Sequence, residues 1–234
     1  MILITGAAVG LGAQIALELA KQGHSLLLHY RKSANQVEEV AKTCRSFGVI
    51  VDFIEGDFST AETTDDFIRR LEERNDPIQG IVNNVGDYFL GALEKTSLPK
   101  WRSLFESNLH APYGLILSLL PSLKKTGGRI VNIGTAGLKG ERGVMLAPAY
   151  QATKKALATL TLSLAKELAP EGVTVNMVSP GYMENSVDLS DPKSLPMQRA
   201  ATLEEVAKLV AFFFSPEASY ITGQNIEIAG GVGL

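Results

Sequence analysis

Short apolar runs rich in β-branched residues alternate with amphipathic stretches along the whole chain, and this alternation limits the possible folds more than any other feature. The strand candidates are residues 2–5, 25–30, 49–55, 80–84, 129–133, 173–178 and 224–228. They are nearly continuous in apolar character, the pattern of parallel strands covered on both faces. Helix-period patterns fill the gaps at 11–21, 34–47, 60–74, 98–125, 149–168 and 202–214. Strands alternating with helices predict βαβ units with right-handed crossovers. The expected fold is α/β, a doubly wound parallel sheet of about seven strands with helices on both faces. No linker, repeat or low-complexity segment divides the chain, so residues 1–234 read as a single domain. The least regular stretch, 181–196, carries Pro192 and Pro196 and sits within a candidate substrate lid at 181–201.

Composition excludes several functions. A formal charge of −3 and a pI of about 5.7 argue against a protein held to nucleic acid by phosphate neutralisation. No apolar run approaches the ~20 residues that a membrane span needs. The single cysteine, Cys44, has no internal partner, so folding calls for no oxidising compartment. The first residues run directly into a strand pattern without a basic leader, and the chain reads as soluble and cytoplasmic. His24, His29 and His110 are scattered, with no Cys or carboxylate at ligand spacing, so no catalytic metal is expected.

Thr5-Gly6-Ala7-Ala8-Val9-Gly10-Leu11-Gly12 follows the first strand pattern and opens the first helix pattern. Glycines in such a turn let backbone N–H groups approach a pyrophosphate, and the helix N-terminus adds partial positive charge. The spacing is Gly-x-x-x-Gly-x-Gly rather than the commoner Gly-x-Gly-x-x-Gly.

Taken together, the motifs resemble those of the short-chain dehydrogenase/reductase family over nearly the whole chain, which implies a Rossmann-type fold. The turn through Gly6, Val9, Gly10, Leu11 and Gly12 is similar to the family's cofactor turn. Asp57, followed by Phe58, sits where the family places an Asp against the adenine. Asn83-Asn84-Val85-Gly86 resembles an Asn-Asn-Ala-Gly element, with Val85 in place of Ala. Tyr150-x-x-x-Lys154 resembles the active-site helix motif, and Pro180-Gly181 and Ser219–Gln224 are similar to later family elements.

The resemblance implies hydride transfer between a nicotinamide and a carbonyl carbon, with Tyr150 giving a proton to the oxygen and Lys154 also holding the nicotinamide ribose. Residues four apart on a helix share a face. A free phenol has a pKa of about 10, and a nearby ammonium favours phenolate. Lys154 is therefore expected to bring Tyr150 toward neutrality. Thr135 takes the family's serine position, fifteen residues before Tyr150, two more than usual, so residues 137–148 are expected to loop out. Its hydroxyl can bond a carbonyl oxygen, but its β-branch stiffens it. Asn108 lies inside a helix pattern with Pro112 four residues on, and the missing N–H leaves a carbonyl free. The family uses an asparagine there to hold a water in a proton relay.

An NAD-selecting carboxylate would stand at the end of the second strand. Here Tyr30, Arg31, Lys32 and Ser33 occupy that place, and an Arg fork suits a 2′-phosphate. The expected cofactor is NADP(H). For the substrate, a 3-oxoacyl thioester or similar ketone is the first reading. Arg129 matches a basic position used by acyl-carrier reductases against an acidic carrier protein, and Glu171 puts the wrong charge at their second such position. The alternative is a pteridine reductase, suggested by the runs 28–34 and 108–113 and by Tyr88 or Phe89 as a stacking face. A further alternative is a non-catalytic NADP-binding sensor. Wide apolar stripes at 98–125 and 149–168, including Leu157, Leu160, Leu164 and Leu168, predict a homotetramer, with a dimer as second choice.

Overall fold

The computed structural model describes residues 1–74, 76–140, 143–189 and 191–232. Seven parallel strands form one sheet: β1 (Ile2–Ile4), β2 (Leu26–Tyr30), β3 (Val51–Glu55), β4 (Gly80–Asn83), β5 (Arg129–Ile133), β6 (Thr174–Pro180) and β7 (Asn225–Ile228). Their order is β3-β2-β1-β4-β5-β6-β7. The register sets Leu3 beside Leu27 on one side and Ile81 on the other.

The continuous apolar runs are explained by two cores, one on each face of the sheet. Ile2, Ile4, Leu26, Leu28, Val82 and Val131 pack under α1 (Gly10–Lys21), α2 (Ala34–Arg45) and α7 (Leu203–Phe212). Leu3, Leu27, Ile81, Ile130 and Val175 pack under α3 (Ala61–Glu73), α5 (Ala111–Thr126) and α6 (Pro148–Leu168). Each such Leu or Ile contributes about 1.5–3 kcal/mol of burial. Alternate residues serve opposite layers, which is why the strands show no polar face.

Local chemistry sets several helix starts. Thr60 caps α3, its hydroxyl accepting the Thr63 N–H at 3.3 Å. α7 opens with a capping box, in which Thr202 accepts the Glu205 N–H at 3.1 Å and Glu205 accepts the Thr202 N–H at 2.9 Å.

The long helix expected at 98–125 is a correction. It divides into α4 (Leu98–Phe105), a π-helical turn at Glu106–His110 and α5. Pro112 cannot donate the N–H that would continue the α ladder, and the widened turn absorbs the fault. The stripe on α6 is a second correction: Leu157, Leu164 and Leu168 lie in this chain's own cores. The large apolar side chains left exposed on these helices are Leu98 on α4, Tyr113 and Leu117 on α5, and Leu162 on α6. Among the described residues no helix is long and apolar enough to cross a membrane.

Candidate active site

Strand order reverses between β1 and β4, so the loops after these strands diverge and leave a crevice at their C-terminal ends. The glycine turn lies on one side of it. Gly6 and Gly10 adopt φ of +67° and +58°, the left-handed region that favours glycine. A Cβ on Gly12 would collide with the Gly6 carbonyl and the Asn84 amide. α1 starts with Val9 in extended backbone, with no side chain bonded to its first N–H groups and no acid in its first turn. Those amides and the positive end of the helix fit an anion, so the residues present suit a dinucleotide pyrophosphate.

The loop after β4 holds this turn in place. Asn84 Nδ2 donates to the Thr5 carbonyl at 2.9 Å and the Gly6 carbonyl at 3.2 Å. The Thr5 hydroxyl accepts the Asn84 and Val85 N–H groups at 2.9 and 3.0 Å.

A residue the sequence reading set aside, His29, fixes the same turn from below. Its buried Nδ1 accepts the Gly6 N–H at 3.0 Å, so Nε2 carries the proton and donates to the Gly56 carbonyl at 3.1 Å. The ring stacks on Phe58 at 4.4 Å and meets the Phe67 edge at 5.1 Å. Burial, reinforced weakly by Arg31 and Arg70 and opposed by the Gly56 bond and Asp57, lowers its pKa to about 4. The signal in the sequence was one polar residue inside an apolar strand.

On the other side of the crevice a cavity of about 550 Å³ brings together Gly86, Thr135, Tyr150, Lys154, Pro180 and Gly181, with Leu11 and Asn84 from the cofactor side. Lys154 is buried, and its Nζ donates to the Ile133 carbonyl at 2.8 Å. It lies 5.7 Å from the centre of the Tyr150 ring. A Cβ on Gly86 would sit 3.1 Å from that Nζ and 3.5 Å from Asn108 Oδ1, so the backbone passes close to both groups. Asn108 is fully enclosed: Nδ2 donates to the Asp87 carbonyl and the Thr153 hydroxyl, both at 3.0 Å. Its Oδ1 accepts the Asp87 N–H at 2.7 Å and the Ser107 hydroxyl at 3.0 Å. It therefore ties the β4 loop to α6 through the π-helical turn.

The expected direction of the Tyr150 shift is corrected. Burial pushes the phenol up to about 12, against a hydrogen bond from Thr135 and with the charge of Asp188 adding to the rise. Burial also lowers Lys154 to about 8. The amine points at a carbonyl rather than at the phenolic oxygen, so desolvation outweighs attraction. At neutral pH Tyr150 holds its proton.

The sequence residues further along the crevice divide. Arg31 and Lys32 line a second recess together with Asp57. The Arg31 guanidinium lies 3.7 Å from the Asp57 carboxylate, which also accepts the Ser59 N–H at 3.0 Å. Ser33 precedes α2 without a capping bond. Two side chains turn away. Half-buried Tyr30 packs edge-on against Phe53 at 6.0 Å, and Phe58 is buried against His29, so its side chain offers nothing to the recess. Arg129 opens β5 at the end of the sheet away from the cavity, and Glu171 pairs with Lys124 at 3.4 Å.

Residues 137–147 form no helix or strand among those described, while Pro148, expected in the loop, opens α6; Glu141 and Arg142 lie outside the described residues. Of the segment 181–201, in which Ser190 is likewise outside, Tyr182, Met183, Asn185, Ser186, Val187 and Asp188 reach the cavity. The Tyr88 hydroxyl donates to Asp188 Oδ2 at 2.9 Å.

Comparison with known proteins agrees with this geometry. Residues 6–233 match the family model described as enoyl-(acyl carrier protein) reductase. An uncharacterized oxidoreductase, YmfI of Bacillus subtilis, is 33% identical over 98% of this chain and 97% of its own. The 3-oxoacyl-acyl-carrier-protein reductase FabG of Staphylococcus epidermidis is 31% identical over 98% and 97%. The crystal structure of a blue fluorescent protein from a metagenomic library, in complex with NADPH, superposes with a TM-score of 0.90 at 26% identity, covering 100% of this chain and 98% of that one. The chain belongs to the short-chain dehydrogenase/reductase family of oxidoreductases, in the branch that resembles 3-oxoacyl-acyl-carrier-protein reductases.

The buried neutral His29 makes an acid-sensitive contribution to stability. Its folded pKa of about 4 lies below the unfolded value of 6.5. The contribution is complete above the unfolded value, falls as pH drops from 6.5 to about 4, and is lost below that, at a cost of order 3 kcal/mol. Denaturant unfolding of His29→Asn across this window is expected to show a shallower loss than the parent chain; equal slopes would contradict it.

Proposed function

We propose that this chain is an NADP(H)-dependent reductase of a carbonyl group, acting on a 3-oxoacyl thioester or a similar ketone with Tyr150 as the general acid. The observation that carries this reading is the convergence of Thr135, Tyr150 and Lys154 on one cavity that opens to the glycine turn. When bound, the reduced nicotinamide supplies the hydride that goes to the carbonyl carbon.

The chain's own residues do the rest. The N–H groups around Gly6, Val9, Gly10, Leu11 and Gly12 would hold the pyrophosphate. Arg31, Lys32 and Ser33 would take the 2′-phosphate, and Asp57 the adenine. Asn84, Val85 and Gly86, with Pro180 and Gly181, would confine the nicotinamide end. Thr135 would donate a hydrogen bond to the substrate oxygen. The Tyr150 hydroxyl, kept protonated by burial, releases its proton to that oxygen as the hydride arrives, and the Lys154 ammonium stabilises the phenolate left behind. Asn108 is a positioning residue that fixes the Gly86 backbone against Lys154. Holding the partners in line supplies much of the rate, since orientation alone is worth about 7–11 kcal/mol. Of the two rings considered for a pterin, Tyr88 lines the cavity and meets Tyr150 edge-on, while Phe89 lies under the Lys100 ammonium at 6.0 Å.

Three measurements test the reading. Acetoacetyl thioester is expected to consume NADPH absorbance, dihydropterin is not, and Tyr150→Phe is expected to lower kcat by about 10²–10⁴; turnover that survives the substitution would remove Tyr150 from the chemistry. For the cofactor preference, Arg31→Ala is expected to raise the KM for NADPH about tenfold or more while changing that for NADH little. A loss shared equally by both cofactors would place the 2′-phosphate elsewhere.

The exposed Tyr113, Leu117 and Leu162 support assembly through α5 and α6, as a homotetramer or failing that a dimer. Gel filtration is expected to give a size well above the 25.1 kDa chain, and elution as a monomer would refute it.

A further inference from the structure

The cavity wall is almost free of charge. Among the described residues that line it, the ionisable carboxylate is Asp188, and the cation is Lys154, which is buried and bonded to the Ile133 carbonyl. Asp188 itself is exposed, on the segment that follows β6, and it lines the same cavity as the catalytic residues. Its carboxylate is anchored by the Tyr88 hydroxyl at 2.9 Å, and the Tyr88 ring in turn meets the Tyr150 ring edge-on at 4.9 Å. A negative charge held through the ring that touches the proton donor therefore lines this cavity, with no cation within ion-pair distance of it among the described residues.

We propose that Asp188 is the specificity-determining residue of this site and that it selects uncharged carbonyl substrates against carboxylates. This deepens the reductase reading and rests on it for the place where the carbonyl binds. A substrate carboxylate brought into this cavity meets a like charge, which disfavours it in the complex and in the transition state. A thioester or ester carries no charge there and escapes the penalty. The same carboxylate opposes ionisation of both neighbouring phenols, Tyr150 and Tyr88. The groups that face Tyr150 are Lys154 on its own helix, the Thr135 hydroxyl from the loop after β5, Tyr88 from the loop after β4, and Asp188.

A matched pair of probes tests this with the whole chain. Ethyl 3-oxobutanoate and 3-oxobutanoate share one ketone and differ in charge. The parent chain is expected to favour the ester in kcat/KM. Asp188→Asn keeps an oxygen for the Tyr88 hydroxyl and removes the charge, and it is expected to shrink the preference about tenfold, which is about 1.4 kcal/mol. Tyr88→Phe removes the anchor but keeps the charge, and is expected to retain most of the preference. An unchanged ratio in Asp188→Asn, or an equal collapse in Tyr88→Phe, would overturn the proposal. A second readout needs no turnover. In an ultraviolet titration of tyrosinate, the step missing from Tyr150→Phe is expected to move to lower pH in Asp188→Asn. Failure of both probes to react would count against the reductase reading, and the titration would then decide the charge claim: a step that stays in place refutes it.

Discussion

An amine without a counter-charge sits at the centre of this molecule. Lys154 is buried, its one hydrogen bond runs to the Ile133 carbonyl at 2.8 Å, and no carboxylate pairs with it among the described residues. Such a group costs free energy unless its surroundings are built to accept it. Much of the neighbouring structure answers that demand. The Gly86 backbone passes close to the ammonium. Asn108, in the π-helical turn that breaks the long helix, bonds the Asp87 backbone next to it and ties it to Thr153. The Tyr150 ring covers the amine from above. Burial then drives the two titrating groups apart in opposite senses, the phenol toward its protonated form and the amine toward neutrality.

The fold was legible because its information is local. Each strand is a short apolar run whose alternate residues feed two cores, so period and length sufficed to place all seven. The helix break at Glu106–His110 was only half legible. Asn108 and Pro112 signalled a fault, but a fault can end a helix, kink it or widen it. Its form is decided by what Asn108 bonds to, and Asp87 and Thr153 are distant in sequence. The α6 leucines misled for a related reason: a wide apolar stripe shows that cover is needed, not whether this chain or a second copy provides it.

Within the site, spacing alone brought Tyr150 and Lys154 to one helix face, and motif order placed the glycine turn after β1. What the sequence could not show was the sign of the phenol's shift. That sign depends on where the ammonium points and on how much water the fold excludes, and neither is encoded in a four-residue interval. His29 was hidden for the opposite reason. One polar residue in an apolar strand gives no hint that its two ring nitrogens join Gly6 to Gly56, residues far apart in the chain.

The two halves of the crevice are built differently, and this accounts for why the reaction class is easier to read than the substrate. The cofactor side is held by groups rooted in the sheet: Thr5, His29 and Asn84 make five hydrogen bonds that fix the turn after β1 or the loop after β4, and His29 makes a sixth to Gly56 after β3. Changing any of them disturbs the core, so the motif and its chemistry are bound together. The substrate side is closed by Tyr182, Met183, Asn185, Ser186, Val187 and Asp188, which belong to no strand or helix longer than an isolated bridge. Residues on such a segment can change without cost to the sheet, so they follow the ligand rather than the fold. Asp188 is the clearest case: its position is set by one phenolic hydroxyl across the cavity, a contact that exists only once two loops, one hundred residues apart, have been brought together.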